Sequence, residues 1–478
     1  MTKIRYMVLS DIHLGAYNSL LTYIEENQNH SPRYRVNAEK TSPVLKDLFP
    51  VLETIVQKIN GTSSPKVEFI LLGDVFELAL GSISDASMSF ERFLECCFSK
   101  GTRFSDHMIY IPGNHDHHLW ETAREKQYTD YIASLKPKEK IQDAWHTTKM
   151  ISPDFVTSDL LTEIMRRNKG LKRGIVKIAY PNLEISNSKQ TKTIFLTHGH
   201  FLENIYELMS SLQSIIFPEK QNKKTIYDLE RENFAWIDFF WSTLGRSGSV
   251  GEGIGLIYDK LQSEKAIQKL ATNVAGYLVG LLKIGPILRF FLKYGLGFFL
   301  GKWISKIGQS ERGMSDGVLG EEITTNLDRY FQELLPGQWE METDRKFPNE
   351  FEFIFGHTHK PFSSDAKDLG LKTENVSLFN TGGWVVDTVE PTPAHGGAVI
   401  LIDDDANAVS FRIYKEQDQT PFFEVPSGKS NPLYESLSKK IDLDAAVFLK
   451  LKATIHSEIE LRRKVIEARI KEQAPSEK

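Results

Sequence analysis

Five times along this 478-residue chain, a short run of apolar and β-branched residues breaks into Asp, Asn or His. The run from Ile4 to Leu9 gives way to Asp11 and His13, and Phe69 to Leu72 gives way to Gly73, Asp74 and Glu77. Met108 to Ile111 leads into Pro112-Gly113-Asn114-His115-Asp116. Thr193 to Thr197 ends at His198 and His200, and Phe351 to Phe355 ends at His357 and His359. Runs of this length and composition predict buried strands. A polar cluster at the end of a buried strand is costly unless it finds partners, so the five clusters are expected to find one another. In α/β sheets ligands bind beyond the carboxyl ends of the strands, which places one shared site there.

The donors are Asp, Asn and His, with no Cys among them. Oxygen and imidazole ligands suit Mn, Fe or Zn better than soft ions. They are too many for one ion, and a carboxylate such as Asp74 can bridge two. The pattern therefore predicts a pair of ions roughly 3.5–4 Å apart.

The ordered set Asp-x-His, Gly-Asp-x-x-Glu, Gly-Asn-His-Asp, His-Gly-His and Gly-His-Thr-His resembles the calcineurin-like metallophosphoesterases. Many members carry Asp where Glu77 stands. Relatives that act on lipid-linked nucleotides, the UDP-diacylglucosamine pyrophosphatase type, look similar to this chain in carrying Glu. The resemblance implies a four-layer α/β/β/α sandwich of two mixed sheets. It implies that Asp11, His13 and His359 hold a first metal, that Asn114, His198 and His357 hold a second, and that Asp74 bridges. The implied cofactor is two divalent ions, Mn2+ in first place with Fe or Zn as alternatives. The implied chemistry is hydrolysis of a phosphate ester by a hydroxide that the two ions activate. His115 then fits as donor to the phosphoryl or leaving oxygen, with Asp116 holding its ring through the other nitrogen. Glu77 is expected to hydrogen-bond a ligand or the motif backbone. His200 stays open between ligand, supporting donor and substrate contact, and His117 and His118 between substrate contact and a plain surface role.

Composition narrows the partners. A net charge of −5 speaks against a general nucleic-acid binder. The only cysteines, Cys96 and Cys97, are adjacent and make no disulfide framework, which fits a reducing compartment. Met1 leads directly into the first strand with no signal-type apolar stretch, so the cytoplasm is expected.

The two motifs ending at His200 and His359 must meet in space, so residues 201–350 are expected to be a large, mainly helical insertion. The core would then be split into residues 1–200 and 351–416, with a linker and helix over 417–478. Within the insertion, Lys265 to Lys306 carries seven Lys or Arg and no Asp or Glu among apolar segments. Lys283, Pro286, Arg289 and Lys293 break it below the ~20 apolar residues of a membrane span. A basic apolar stretch reads as a peripheral membrane contact or as a buried subdomain whose Lys and Arg reach outward. Together with the resemblance this predicts a phosphorylated small-molecule or lipid-linked substrate, a phosphodiester or pyrophosphate. The competing readings are a phosphoprotein phosphatase, a nuclease, and a silent membrane-docked interaction protein. The sequence leaves the oligomeric state open. Further expectations are a polar loop over Ala16–Arg35 and Trp384 at the site mouth. Ile175–Pro181, Gly397–Asp403 and Val409–Tyr414 are expected in the second sheet, and an apolar-striped helix over Asp442–Glu472.

Overall fold

The computed structural model describes residues 2–27, 32–61, 65–79, 81–99, 103–216, 224–243, 318–427 and 429–473. The basic apolar stretch from Lys265 to Lys306 and the glycine-rich Gly245–Gly255 lie outside them. No helix among the described residues is long and apolar enough to cross a membrane.

Two mixed sheets face each other. The first has eight strands, and its centre is parallel: β1 (Ile4–Leu9), β4 (Val67–Leu71), β5 (Phe104–Tyr110) and β7 (Ile175–Ile178). Antiparallel β13 (Gly396–Asp403), β14 (Ala408–Lys415) and β15 (Phe422–Glu424) extend it beyond β1, and β6 (Val156–Thr157) closes the other edge. The second has five strands in the order β11 (Phe362–Asp365), β12 (Val376–Asn380), β10 (Phe351–Phe355), β9 (Thr193–Thr197), β8 (Asn182–Ser186). Its three central strands are parallel.

Three apolar layers follow from this stacking. Between the sheets, Val8, Ile70, Ile109 and Ile400 meet Ile194, Leu196, Ile354 and Phe379. On the outer face of the first sheet, Met7, Phe69, Met108 and Leu401 pack under helices. On the outer face of the second, Phe195, Phe353, Phe355 and Leu378 pack under the insertion. Strands buried on both faces need no apolar–polar alternation, which is why the carboxyl-terminal halves of these strands, such as Met7-Val8-Leu9 and Phe353-Ile354-Phe355, are continuously apolar. Register keeps the layers apart: Val8 stands opposite both Ile70 and Ile400, and Met7 opposite Phe69 and Leu401.

The helices over the first sheet are α1 (Pro43–Asn60), α2 (Ile83–Cys97), α4 (Asp159–Arg167), α9 (Pro432–Lys440) and α10 (Ala446–Gln473). α1 begins where Ser42 Oγ accepts from the Val44 N–H at 3.1 Å and Pro43 occupies the first turn, and it buries Leu45, Leu48, Val51, Leu52 and Ile55. α10 lays Phe448, Leu451, Ile455 and Ile459 into the same core, beside α1, whereas Ile470 at its far end is 57% exposed and leaves the stripe. The polar α3 (His118–Ser134) follows the central motif. The insertion contributes α5 (Leu208–Ile216), α6 (Ile226–Trp236), α7 (Glu321–Arg329) and α8 (Leu335–Glu342), with π-helical turns over Ile237–Thr243 and Tyr330–Leu334. The fold is thus the expected helix–sheet–sheet–helix sandwich with a helical insertion.

Three local expectations are corrected. β7, β13 and β14 belong to the first sheet, and the chain crosses to the second between Ile178 and Asn182. Ala16–Arg35 is not a plain polar loop: Ser19, Leu20 and Leu21 are buried, and β2 (Ile24–Glu26) pairs with β3 (Tyr34–Val36). Trp384 is fully buried against Tyr414 within the first core, behind the site rather than at its mouth.

Candidate metal centre

Every expected site residue lies at the carboxyl end of a parallel strand: Asp11 and His13 after β1, Asp74 and Glu77 after β4, Asn114, His115 and Asp116 after β5, His198 and His200 after β9, His357 and His359 after β10. Backbone bonds zip the first two loops together, Asp11 N–H to Gly73 O at 3.0 Å and His13 N–H to Asp74 O at 2.9 Å.

Two sets of side chains converge. The ligand atoms of Asp11, His13 and His359 lie within 4.8 Å of one another, as do those of Asp74, His198 and His357. Asp74 Oδ2 stands between the sets, 3.6 Å from His13 Nε2 and 3.4 Å from His198 Nε2. His359 Nε2 is 3.5 Å from Asp11 Oδ1. At such distances a hydrogen bond is absent or weak. They are close to the ~3.0–3.4 Å between two ligand atoms each about 2.1 Å from one ion. Asn114 Oδ1 lies 3.1 Å from His198 Nε2 and joins the second set.

The rear nitrogens are held. His13 Nδ1 is 3.0 Å from Glu77 Oε2, His359 Nδ1 is 2.8 Å from Asp387 Oδ2, and His198 Nδ1 is 3.0 Å from Leu72 O. A ring that donates from Nδ1 presents a bare Nε2, and this is how metal-binding histidines are usually oriented. The donor set and its tautomers therefore fit divalent ions.

Close approach costs backbone freedom. Asp11, His13, Asp74, His357 and His359 all have positive φ, between 43° and 69°. For side-chain-bearing residues this costs about 1–2 kcal/mol each, and such strain tends to collect at functional sites. Glycines make the room: a Cβ on Gly113 would overlap the Asp74 carboxylate and backbone, and one on Gly356 would overlap Ser10 and Asp11.

Charge is balanced inside the cluster. Burial opposes ionisation of Asp11, but His359 and His198 outweigh it and hold the carboxyl at about 2. For Asp74, burial is likewise outweighed by His198, His115 and His13, and its carboxyl sits well below the usual range.

The structure reassigns Asp116. Its carboxylate accepts from the N–H groups of Gly113 at 2.8 Å, Val75 at 2.6 Å and Phe76 at 3.1 Å, so it ties the Asp74 and Asn114 loops together and does not hold His115. Glu77 does that: Oε1 lies 3.0 Å from His115 Nδ1 while Oε2 takes His13. Burial opposes ionisation of Glu77, and His115 and His13 overcome it and keep the carboxyl well below its usual range. Glu77→Gln is therefore expected to cut turnover at least tenfold with a near-normal unfolding midpoint. Asp116→Asn should lower the midpoint instead; urea unfolding and steady-state rates on both variants check this.

His200 stands apart from the two converging sets. It is buried, with Nε2 3.3 Å from the Tyr180 hydroxyl and the two rings stacked. Burial, then the charge of His198, pulls it well below the ordinary histidine value, so it is neutral. Near Tyr180 lies the fully buried Glu230 of α6, whose carboxyl is pushed well above its ordinary value by burial. His117 is not a surface residue. It is fully buried between Tyr180 and Phe234, with Asp238 Oδ1 at 3.7 Å, and the same oxygen reaches His118 Nδ1 at 3.2 Å. The insertion thereby docks on the end of the central motif.

Sequence reading missed Asp387, Glu203 and Tyr206. Glu203 Oε1 is 3.4 Å from His357 Nε2, and Tyr206 meets the His357 ring edge-on at 5.3 Å. Asp387 carried a signal, since it too ends an apolar run, Trp384-Val385-Val386. Glu203 carried none beyond nearness to His200.

Comparison with known proteins bears on this geometry. The family model of calcineurin-like phosphoesterases matches residues 4–238. Over that span the chain belongs to the calcineurin-like phosphoesterase superfamily. The matched span holds the motifs from Asp11 to His200, and the fold brings His357 and His359 to them from beyond it. Superfamily membership and the converging triads make this phosphoesterase a metal-dependent hydrolase. A search of curated proteins finds no match. Among solved structures, that of phosphopantetheinyl hydrolase (PptH) from Mycobacterium tuberculosis is similar at 13% identity, with a TM-score of 0.22, over 79% of this chain and 89% of that one.

Proposed function

We propose that the chain hydrolyses a phosphodiester or pyrophosphate with two divalent ions, Mn2+ in first place. Asp11, His13 and His359 would hold the first ion and Asn114, His198 and His357 the second, with Asp74 available to both. The observation that carries this is the convergence of the two triads on Asp74, with the rear nitrogens of His13, His198 and His359 held. Two such ions, when bound, neutralise phosphoryl oxygens and lower the pKa of water.

The chain's own part is positioning and proton delivery. Asn114 and the histidines are neutral ligands, so the site keeps enough positive charge to accept a phosphate anion. His115 is buried but, at 6% exposed, is more open than any of the expected ligands. A ring that carries both protons gives one to Glu77 from Nδ1 and has the other to deliver from Nε2 to the leaving oxygen. Glu203, Tyr206 and the aromatic π-turn around Trp241, whose ring lies 5.0 Å from Tyr206, wall the second-ion side. That wall, and the apolar stretch of the insertion, support a substrate with an apolar moiety rather than free phosphate monoesters in general.

Metal-stripped protein should leave bis-p-nitrophenyl phosphate intact and cleave it once Mn2+ is added back. His115→Ala should lower that rate by about 10²–10³-fold with Mn2+ binding retained. Cleavage of p-nitrophenyl phosphate alone would overturn the diester reading, and a wild-type rate in His115→Ala would remove its assigned role.

A further inference from the structure

The C-terminal helix α10 reaches the site by a route that the superfamily match, which ends at residue 238, does not contain. Its second half leaves α1 and packs on the segment after the first motif. Val465 shares a small core with Ile24 and Tyr34, and the Arg469 guanidinium lies 3.9 Å over the Tyr17 ring. Just before these contacts stand two consecutive arginines.

Arg462 is fully buried. Its Nε donates to Ser19 O at 2.9 Å, Nη2 to Thr22 O at 2.6 Å, and Nη1 to Glu458 Oε2 at 2.9 Å. An uncompensated guanidinium would be very costly there, so the fork is matched to those carbonyls. The loop it holds in turn supports the first motif: Ser19 Oγ donates to Ile12 O at 2.6 Å, and Gly15 N–H donates to Thr22 Oγ1 at 3.0 Å. Ile12 lies between Asp11 and His13.

Arg463 points to the other side. Nη2 donates at 3.2 Å to Glu416 Oε2, which also accepts from the Thr392 N–H at 3.2 Å. The Glu416 N–H donates to His395 O at 2.9 Å, and the next residue's N–H, Gly396, donates to His359 O at 3.1 Å. The two braced loops also meet each other. Leu20 N–H donates to Trp384 O at 2.7 Å, Trp384 N–H to Asp11 O at 2.9 Å, and Asn18 Nδ2 to Asp387 Oδ1 at 3.3 Å. Asp387 is the carboxylate behind His359. The half-site of Asp74, His198 and His357 is braced instead from the insertion, by Glu203 and Tyr206.

We infer that Arg462 and Arg463 are positioning residues for the first ion: α10 clamps the two loops that present Asp11, His13 and His359. This rests on the two-ion reading above. A fork of three donors holds a loop in one place, and ligand geometry at a metal is sensitive to such supports, typically by 10–100-fold in affinity.

The test uses the full-length chain and Mn2+ alone, titrated into metal-free protein by calorimetry. His357→Ala leaves the first site to be read and His13→Ala leaves the second. Adding Arg462→Met to each should weaken Mn2+ at least tenfold in the His357→Ala protein and change it less than twofold in the His13→Ala protein. Equal weakening in both would mean general loosening and overturn the inference, as would no weakening in either. Arg463→Gln, whose side chain is 14% exposed, carries the same comparison if the Arg462 variant does not fold. Should the wild type bind no Mn2+, or should neither His→Ala change remove an ion, the two-ion reading itself fails. That result is distinct from unequal or equal effects of the arginines.

Discussion

Asp74→Asn is expected to abolish Mn2+-dependent turnover, by about 10³-fold or more in kcat, with the fold intact. Asparagine keeps the shape and can still accept from the His115 N–H, which donates to Asp74 Oδ1 at 2.8 Å. What it loses is the charge at Oδ2, between His13 Nε2 and His198 Nε2. A carboxylate shared by two ions offsets their repulsion, and the amide cannot. Removing a single well-placed electrostatic group from an active site costs about 10²–10³-fold, and Asp74 serves both halves at once. His198 adds to the loss. Although burial pulls the other way, the Asp74 charge lifts it to about 9, so without Asp74 the ring loses its main charged neighbour and keeps only Asn114 Oδ1, 3.1 Å from Nε2, beside that nitrogen. Metal analysis should find fewer than two ions per chain, and an unchanged far-UV spectrum would show that the loss is local. Near-wild-type turnover in this variant would refute the bridging role.

The second large effect is expected at a residue with no side chain. Gly73→Ala should destabilise the chain by about 3 kcal/mol or more and prevent Mn2+ binding. Gly73 has φ +83°, where an L side chain is strained, and its Cβ would clash with the His198 ring at Nδ1. The ring cannot retreat without breaking the bond from Nδ1 to Leu72 O. The cost therefore includes strain, overpacking and a lost hydrogen bond, all at one point of the site. Urea unfolding monitored by tryptophan fluorescence measures the stability term, and calorimetric Mn2+ titration the site term. Gly337→Ala is the control, because a Cβ there meets nothing within 4 Å.

Strand positions, and the Asp, Asn and His residues that converge at their ends, were legible in the chain because each apolar run stops at such a residue. Which sheet a strand joins was not. β13 and β14 are buried on both faces like β9 and β10, so nothing in Gly396–Asp403 or Ala408–Lys415 says which neighbour they take. β7 does alternate, burying Val176 and Ile178 and leaving Ile175 and Lys177 half-buried, but its nearness in sequence to β8 suggested the wrong sheet. The partner of His115 was misread because Asp116 is adjacent in sequence. Along an extended chain neighbours point apart, and the carboxylate that reaches the ring comes from Glu77, 38 residues earlier. Glu77 reaches two histidines, His13 and His115, rather than one. The docking of α10 followed from its apolar stripe. Its two arginines gave no such signal, since Arg462-Arg463 on a charged helix reads as solvated surface.

The division of the ligands between the sheets has a mechanical consequence. Asp11, His13, Asp74 and Asn114 issue from one sheet, and His198, His357 and His359 from the other. On the two-ion reading, each ion is a rivet through the seam between the sheets, where hydrophobic contact is otherwise the main adhesive. An ion at a free concentration a hundredfold above its Kd adds about 2.7 kcal/mol to the folded state, and here that increment falls on resistance to sliding of one layer over the other. The catalytic centre and the interlayer fastening of the sandwich are then the same set of side chains.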